Sequence, residues 1–260
     1  MPAVTLDLWH TLMYLDPAAE EAYMEGQARI AAEVLSDSPR LPGAPEHSLV
    51  ELQRIYEQVL AAAVTAANEG RTVTPAQQIT EAARRAGREP RPEAYLQGLE
   101  REIRATRFRR APGALELLSA LHDQGYRLGL ISNTVGEPGA FLRPVLHDLG
   151  FDRFVSSIVF SDEHPWTKPA PELFRAALAP LGESPDRSVH VGDGWSDIEG
   201  ARRAGFRAGI LFTGLHEYGA RYKSLFLPPD WDRPATPYRA ARLDQVPGIV
   251  QTVLPLSDRP

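Results

Sequence analysis

The sequence predicts an α/β protein, a parallel sheet with helices on both faces, interrupted near its start by a block that is helical throughout. Three observations carry this. The run Val4-Thr5-Leu6-Asp7-Leu8-Trp9 is short, apolar and broken by one carboxylate, the pattern of a buried strand. From about Asp16 to Arg109, alanine, glutamate and arginine dominate with helical periodicity and no strand pattern. After Pro112-Gly113 helical stretches and apolar runs alternate, which is the grammar of a parallel sheet.

The expected elements follow in order. Strand Val4–Trp9 is succeeded by helices over Ala18–Leu35, Ser48–Asn68, Pro75–Ala86 and Pro92–Thr106, separated by Ser-Asp-Ser-Pro, Pro-Gly-Ala-Pro and Gly-Arg-Glu-Pro breakers. Then come helix Ala114–Gln124 closed by Gly125, strand Arg127–Ser132, a helix near Gly139–Asp148, strand Ser157–Phe160 and helix Pro171–Leu181. Strand Ser188–Gly192, helix Asp197–Ala204 and strand Arg207–Phe212 complete the alternation. A lone first strand cannot satisfy its own backbone, so it must join the later sheet. The helical block is therefore an insertion. The expected division is a core of residues 1–14 and 110–225, an all-helical insert of 15–109, and a proline-rich segment, 226–260, with one edge strand and a short helix lying against the core.

The chain has 260 residues, 43% hydrophobic and 24% charged, enough for one large or two modest domains. Its net charge of −6 disfavours nucleic acid and anionic membranes as partners. The absence of cysteine excludes disulfides, thiolate metal sites and cysteine catalysis. The first residues lack the basic region and long apolar run of a signal peptide, and no stretch reaches the length of a membrane span, so a cytoplasmic protein is expected. Of the 28 basic residues only Lys168 and Lys223 are lysines; the rest are arginines. A lysine surviving in such a chain invites the question of whether arginine's planar fork would fit its place.

In open parallel sheets, ligands bind beyond the carboxyl ends of the strands. There the sequence places Asp7, Ser132-Asn133, and Asp193 with Asp197, while Lys168 follows the third strand. A hydroxyl, an ammonium and three carboxylates converging on one edge could bind a divalent cation and a phosphoryl group. Gly192-Asp193-Gly194 is not a dinucleotide fingerprint, because it follows a late strand and the third glycine is misplaced.

These residues resemble the motifs of the haloacid dehalogenase-like hydrolase superfamily. Asp7-Leu8-Trp9-His10-Thr11-Leu12 is similar to its first motif, Leu130-Ile131-Ser132-Asn133-Thr134 to the second, Lys168-Pro169 to the third and Gly192-Asp193-Gly194-Trp195-Ser196-Asp197 to the fourth. The resemblance covers about residues 4–215. It implies a Rossmann-like core with a helical cap inserted after the first motif, and an active site in the cleft between them. It further implies a hydrolase in which Asp7 attacks phosphorus to form an aspartyl-phosphate. Mg²⁺ would be held by Asp7, the Trp9 carbonyl, Asp193 and Asp197, the last as ligand or orienter. Ser132 and Asn133 would meet the phosphoryl group, and Lys168 would neutralise charge shared with Asp7. The implied substrate is a small phosphorylated metabolite.

One departure matters. Phosphatases of this family usually carry a second aspartate two residues after the nucleophile as general acid and base; here that residue is Trp9. Such help contributes about 10²–10⁴-fold. Three readings follow: a substrate with a good leaving group, such as an acyl phosphate; substitution by another group, with His10 adjacent; or different work altogether. That last reading includes metal-independent 2-haloacid dehalogenation and a non-catalytic, phosphoryl-ligand-binding regulatory role. Trp9, Trp166 and Trp195 lie in or beside motifs and read as packing between insert and core, or as an aromatic wall for the substrate. His164 reads as a surface loop residue. Arg101, Arg104, Arg107, Arg109 and Arg110 read as a solvated helix face, or as a basic stretch steering an anion to the cleft.

Overall fold

The structure, a computed structural model, describes residues 1–218 and 234–256. A six-stranded sheet runs in the order β5-β4-β1-β6-β7-β8, with every neighbouring pair parallel. Its strands are β1 (Ala3–Leu6), β4 (Arg127–Ser132), β5 (Ser157–Phe160), β6 (Ser188–Gly192), β7 (Ala208–Phe212) and β8 (Arg239–Ala240). The chain leaves β1 outward to β4 and β5, then crosses back over β1 to β6. The order reverses beside β1, and the ends of β1, β4 and β6 open onto one crevice.

Helices cover both faces. On one, α7 (Pro171–Leu178) and α8 (Trp195–Ala204) bury Leu173, Phe174, Ala201 and Ala204 against Ile131 and Val159. On the other, α5 (Ala114–Asp123), α6 (Gly139–Asp148) and α9 (Val246–Val253) bury Leu117, Leu121, Leu142, Leu146 and Val250 against Val4, Leu6, Leu130 and Val191. Helices α7 and α8 touch through Gly200, where a Cβ would stand 2.2 Å from Phe174 Cε2. Helix α8 stops at Gly205, whose φ of 84° suits a residue without a side chain.

Between β1 and α5 stand α1 (Pro17–Asp37), α2 (Leu49–Asn68), α3 (Pro75–Ala86) and α4 (Pro92–Ala105). They share an apolar interior of their own, with Ile30, Leu35, Leu52, Tyr56, Ile79, Tyr95 and Leu99 at its centre. Helices α2 and α3 begin with reciprocal caps, Ser48 with Glu51 and Thr74 with Gln77, each worth about 1 kcal/mol. The entering and leaving chains pair as a two-stranded antiparallel ribbon, β2 (Met13–Tyr14) with β3 (Arg109–Arg110). This ribbon is absent from the sequence-based expectation, because two residues show no periodicity. The block touches the core a second time. Thr72 N–H donates to the Pro165 carbonyl (3.3 Å) and Thr167 N–H to that of Gly70 (3.1 Å), while Thr72 Oγ1 donates to the Ser161 carbonyl (2.9 Å).

The first strand is shorter than expected. It ends at Leu6 because the chain turns at once: the amides of Leu12 and Met13 both donate to the Leu8 carbonyl at 2.9 Å, and His10 adopts a φ of 55°. Within the C-terminal segment the structure has the edge strand β8 and helix α9; residues 219–233 and 257–260 lie outside the described residues. Among the described residues no helix is long and apolar enough to cross a membrane.

Candidate active site

Asp7 is the first residue past β1, and its amide still donates to the Val191 carbonyl of β6 at 2.8 Å. The carboxylate is therefore fixed by the sheet itself. It is 4% exposed. One oxygen, Oδ1, pairs with Lys168 Nζ, and the other accepts from Thr11 Oγ1 at 3.1 Å. Lys168 also donates to Asp197 Oδ1 at 2.6 Å and to the Ile131 carbonyl at 3.2 Å. All three ammonium hydrogens are thereby used, in three directions, a geometry that a flat guanidinium does not reproduce.

Asp197 opens α8, and both its oxygens are occupied. Oδ1 receives Lys168 and His190 Nε2 (3.1 Å), and Oδ2 receives the Gly194 amide (3.1 Å). His190 is wholly buried in β6, and its Nδ1 lies 2.8 Å from Thr5 Oγ1 on the neighbouring strand. Asn133 turns its side-chain amide onto the main chain of Lys168, accepting from its N–H (2.8 Å) and donating to its carbonyl (3.1 Å). Asn133 thus clamps the loop that delivers the lysine. Ser132 ends β4 with a buried Oγ that has no hydrogen-bond partner within the protein.

Charge balance follows from burial. Desolvation pushes the Asp7 carboxyl up to about 7, with Asp197 and Asp193 adding to the rise and Lys168 opposing it. Burial also works against the Lys168 ammonium, but Asp197 and Asp7 outweigh it and hold the lysine above its usual range. Burial would raise Asp197 too; Lys168 and His190 overcome this and hold it below the usual carboxylate range. Ligand oxygens of Asp7, Asp193 and Asp197 all lie within 4.8 Å of one another. The donors are oxygens only, the set a hard divalent cation prefers.

The cluster floors a cavity of about 190 Å³ between the sheet edge and the helical block. Trp9, His10, Ser132, Asn133, Lys168 and Trp195 line it. So do residues the sequence did not single out: Glu20, Tyr23, Met24 and Gln27 of α1, Leu60 and Val64 of α2, and Glu137. Trp9 packs edge-on against Phe108 with centroids 5.6 Å apart, and its indole N–H donates to Glu137 Oε1 at 2.9 Å. Burial pushes the Glu137 carboxyl up to about 7, offset in part by Trp9 and Gln27. His10 Nε2 lies 3.1 Å from Glu20 Oε1.

The other residues singled out in the sequence stand apart from the cavity. Trp166 is 39% exposed and Trp166 and His164 do not line the cavity. Nor does any member of the arginine stretch: Arg104 pairs with Glu100, Arg109 with Asp16, and Arg101 lines a separate surface cleft beside Arg29 and Arg91. The solvated reading of that stretch is the one its contacts support. Thr11 and His190 were missed, although Thr5 and His190 are polar residues in apolar strands and occupy facing register positions. That pairing was the available signal.

A family model described as haloacid dehalogenase-like hydrolase matches residues 1–205. Phosphoglycolate phosphatase of Nitrosococcus oceani is 32% identical over 105 residues, 40% of this chain and 45% of that protein. Glyceraldehyde 3-phosphate phosphatase of Methanothermobacter thermautotrophicus is 38% identical over 109 residues, 41% of this chain and 46% of that one. The chain spans just under half the length of these relatives. Among solved structures, a 2-haloacid dehalogenase from Pseudomonas syringae superposes with a TM-score of 0.64 at 20% identity, covering 97% of this chain and 99% of that one, a likeness of fold.

Proposed function

The chain belongs to the haloacid dehalogenase-like hydrolase family, and on that premise we propose that it is a Mg²⁺-dependent phosphatase of a small phosphorylated metabolite, with Asp7 as nucleophile. The observation that carries this reading is the floor of the cavity, where Asp7, Lys168, Asp193 and Asp197 converge at the ends of β1 and β6. Two curated relatives named for phosphoglycolate and glyceraldehyde 3-phosphate supply the substrate class.

Asp7 and Asp193 offer carboxylate oxygens that fit the ion, and the Trp9 carbonyl is assigned beside them; Asp197 stands in the same cluster and is assigned to orienting Lys168, to which it is hydrogen-bonded. When bound, the ion would supply positive charge that offsets the repulsion between the Asp7 carboxylate and a phosphoryl group. The chain's own residues do the rest. Lys168 and Thr11 hold the Asp7 carboxylate so that it meets phosphorus without searching rotamers. Asp7 forms the aspartyl-phosphate and the leaving group departs, after which water releases phosphate and restores the carboxylate. Ser132 Oγ, buried without a partner, donates to a phosphoryl oxygen. Asn133 sets the Lys168 backbone. The block α1–α4 serves as the cap that excludes water, with residues 15–109 as cap and 1–14 with 110–225 as core.

Trp9 has no acidic proton to give, so a substrate with a good leaving group is favoured; His10, at the cavity wall, is the group assigned to help a poorer one. The test is Mg²⁺-dependent phosphate release from acetyl phosphate and from a simple alkyl phosphate, with Asp7→Asn as the blank. Release from acetyl phosphate above the blank supports the reading, and silence on both overturns it. Metal-independent dehalogenation is the second reading, favoured by Trp9 in place of an aspartate. Halide release with chelator present, tolerant of Asp193→Ala, would establish it in place of the first.

A further inference from the structure

We propose that the cavity selects phosphate compounds whose remainder carries no negative charge and offers hydroxyl or amine hydrogens to Glu20 and Glu137. The inference rests on the phosphatase reading and names the chemistry of the substrate's other half.

Helix α1 turns Glu20, Tyr23 and Gln27 toward the cavity at intervals of three and four residues, one helical face. Each is more than nine-tenths buried, at 8%, 5% and 4% exposure. Each also ends in an atom without a partner in hydrogen-bonding geometry: Glu20 Oε2, Tyr23 Oη and Gln27 Nε2. Gln27 lies close to Tyr23 and Glu137, yet its amide nitrogen completes no hydrogen bond. A buried polar group left unsatisfied is costly to the fold. Three on one helix face, each belonging to a residue that lines the cavity, make that wall polar and leave it hydrogen-bonding capacity to spare. Across from them Glu137 accepts from Trp9 through Oε1.

The charge of that wall sets the class of ligand. In a chain whose basic residues are almost all arginine, none of the described residues lining the cavity is an arginine. Its one lysine, Lys168, is committed to Asp7 and Asp197. A carboxylate on the substrate would be desolvated beside Glu20 and Glu137, and the one other group there able to carry positive charge, His10, is already paired with Glu20. Hydroxyl or amine hydrogens would instead complete Glu20 Oε2, and a hydroxyl oxygen would accept from Gln27 Nε2. Leu60 and Val64 offer the rest of the substrate an apolar flank.

The test uses three two-carbon phosphate esters that differ only at the far end: carboxymethyl, 2-hydroxyethyl and 2-aminoethyl phosphate. Each is measured as a competitive inhibitor of acetyl phosphate hydrolysis by the full chain with Mg²⁺, so that binding is read whether or not the ester is cleaved. The expected result is an inhibition constant for the carboxymethyl ester at least about tenfold weaker than for the better of the other two. Gln27→Arg, which brings a cation into the wall, should erase or reverse that order. A wild-type protein that binds the carboxymethyl ester as tightly as the others overturns the inference and leaves the phosphatase reading standing. Acetyl phosphate hydrolysis no faster than with Asp7→Asn overturns the phosphatase reading, and this inference with it.

Discussion

Replacing Lys168 with methionine tests the physical heart of the site. The methionine preserves most of the volume and removes one charge. In the wild type that charge sits against Asp7 and Asp197, which are 4% and 2% exposed. Removing one partner of a buried ion pair leaves an uncompensated charge and costs about 3–5 kcal/mol. For a chain of this size each kcal/mol lowers the melting temperature by about 2–4 °C, so the variant should melt about 6–20 °C below the wild type. Thermal or denaturant unfolding followed by circular dichroism at neutral pH, with chelator present so that no cation substitutes, reads this directly. A thermodynamic cycle sharpens it. Asp197→Asn should cost more in the wild type, where it removes one of the two carboxylate partners of Lys168, than beside Lys168→Met, where it removes an orphaned charge. A loss below about 1 kcal/mol for Lys168→Met, or additive effects in the cycle, would refute the claim that Lys168 is the charge that compensates these buried carboxylates.

Other expectations follow from single contacts. Gly200→Ala drives a Cβ to 2.2 Å from the Phe174 ring and should cost about 1–3 kcal/mol, read by denaturant midpoint, while activity per folded molecule is retained. Trp9→Asp restores a carboxyl at the position two residues after Asp7; alkyl phosphate hydrolysis should rise toward the roughly 10²–10⁴-fold that acid–base help provides, with acetyl phosphate hydrolysis changing far less. Chelator should reduce phosphate release to the level of Asp7→Asn, and added Mg²⁺ should restore it. Arg84 and Arg85 hold the exposed Glu81 carboxyl down at about 2, against 4.5 unperturbed. Its small stabilisation of α3 is complete above about pH 4.5 and lost as the pH falls through 2, so Glu81→Gln should be slightly less stable than wild type at pH 6, with the difference shrinking toward pH 2 and gone below it.

The strands and most of the cavity floor were legible because each announces itself locally. Arg127–Ser132 and Ser188–Gly192 are apolar runs followed by polar residues, and a polar group at the end of a buried strand has few structural reasons to be there. Asp7, Ser132 and Asp193 stand out on that ground; Lys168 stands out as a rare lysine among arginines and Asp197 by its place four residues after Asp193. The cavity wall did not. Glu20, Tyr23 and Gln27 lie in a helix rich in alanine and glutamate, where polar residues three and four apart look like a solvated face. Only the fold of the insert over the sheet turns that face inward. Glu137 was hidden for a different reason: it sits in an irregular loop, and its importance comes from Trp9, far away in sequence, whose indole it accepts. The ribbon β2–β3 was too short to carry a pattern, and pairs residues nearly a hundred positions apart.

The helical block is fastened by the ribbon β2–β3, by Gln78 Nε2 donating to the Val135 carbonyl at 2.6 Å, and by the clasp of Gly70 and Thr72 on residues 161–167, and the clasp has a mechanical consequence. Lifting the helices away from the sheet cannot be a free swing about the ribbon, because it must part the three hydrogen bonds of the clasp. One of those bonds is made by the amide of Thr167, the residue immediately before Lys168. Opening therefore pulls on the very strand of chain that delivers the ammonium to Asp7. The position of the block and the alignment of the buried charges are geared together: the bonds that hold the helices down also hold the chain that sets Lys168 beside Asp7.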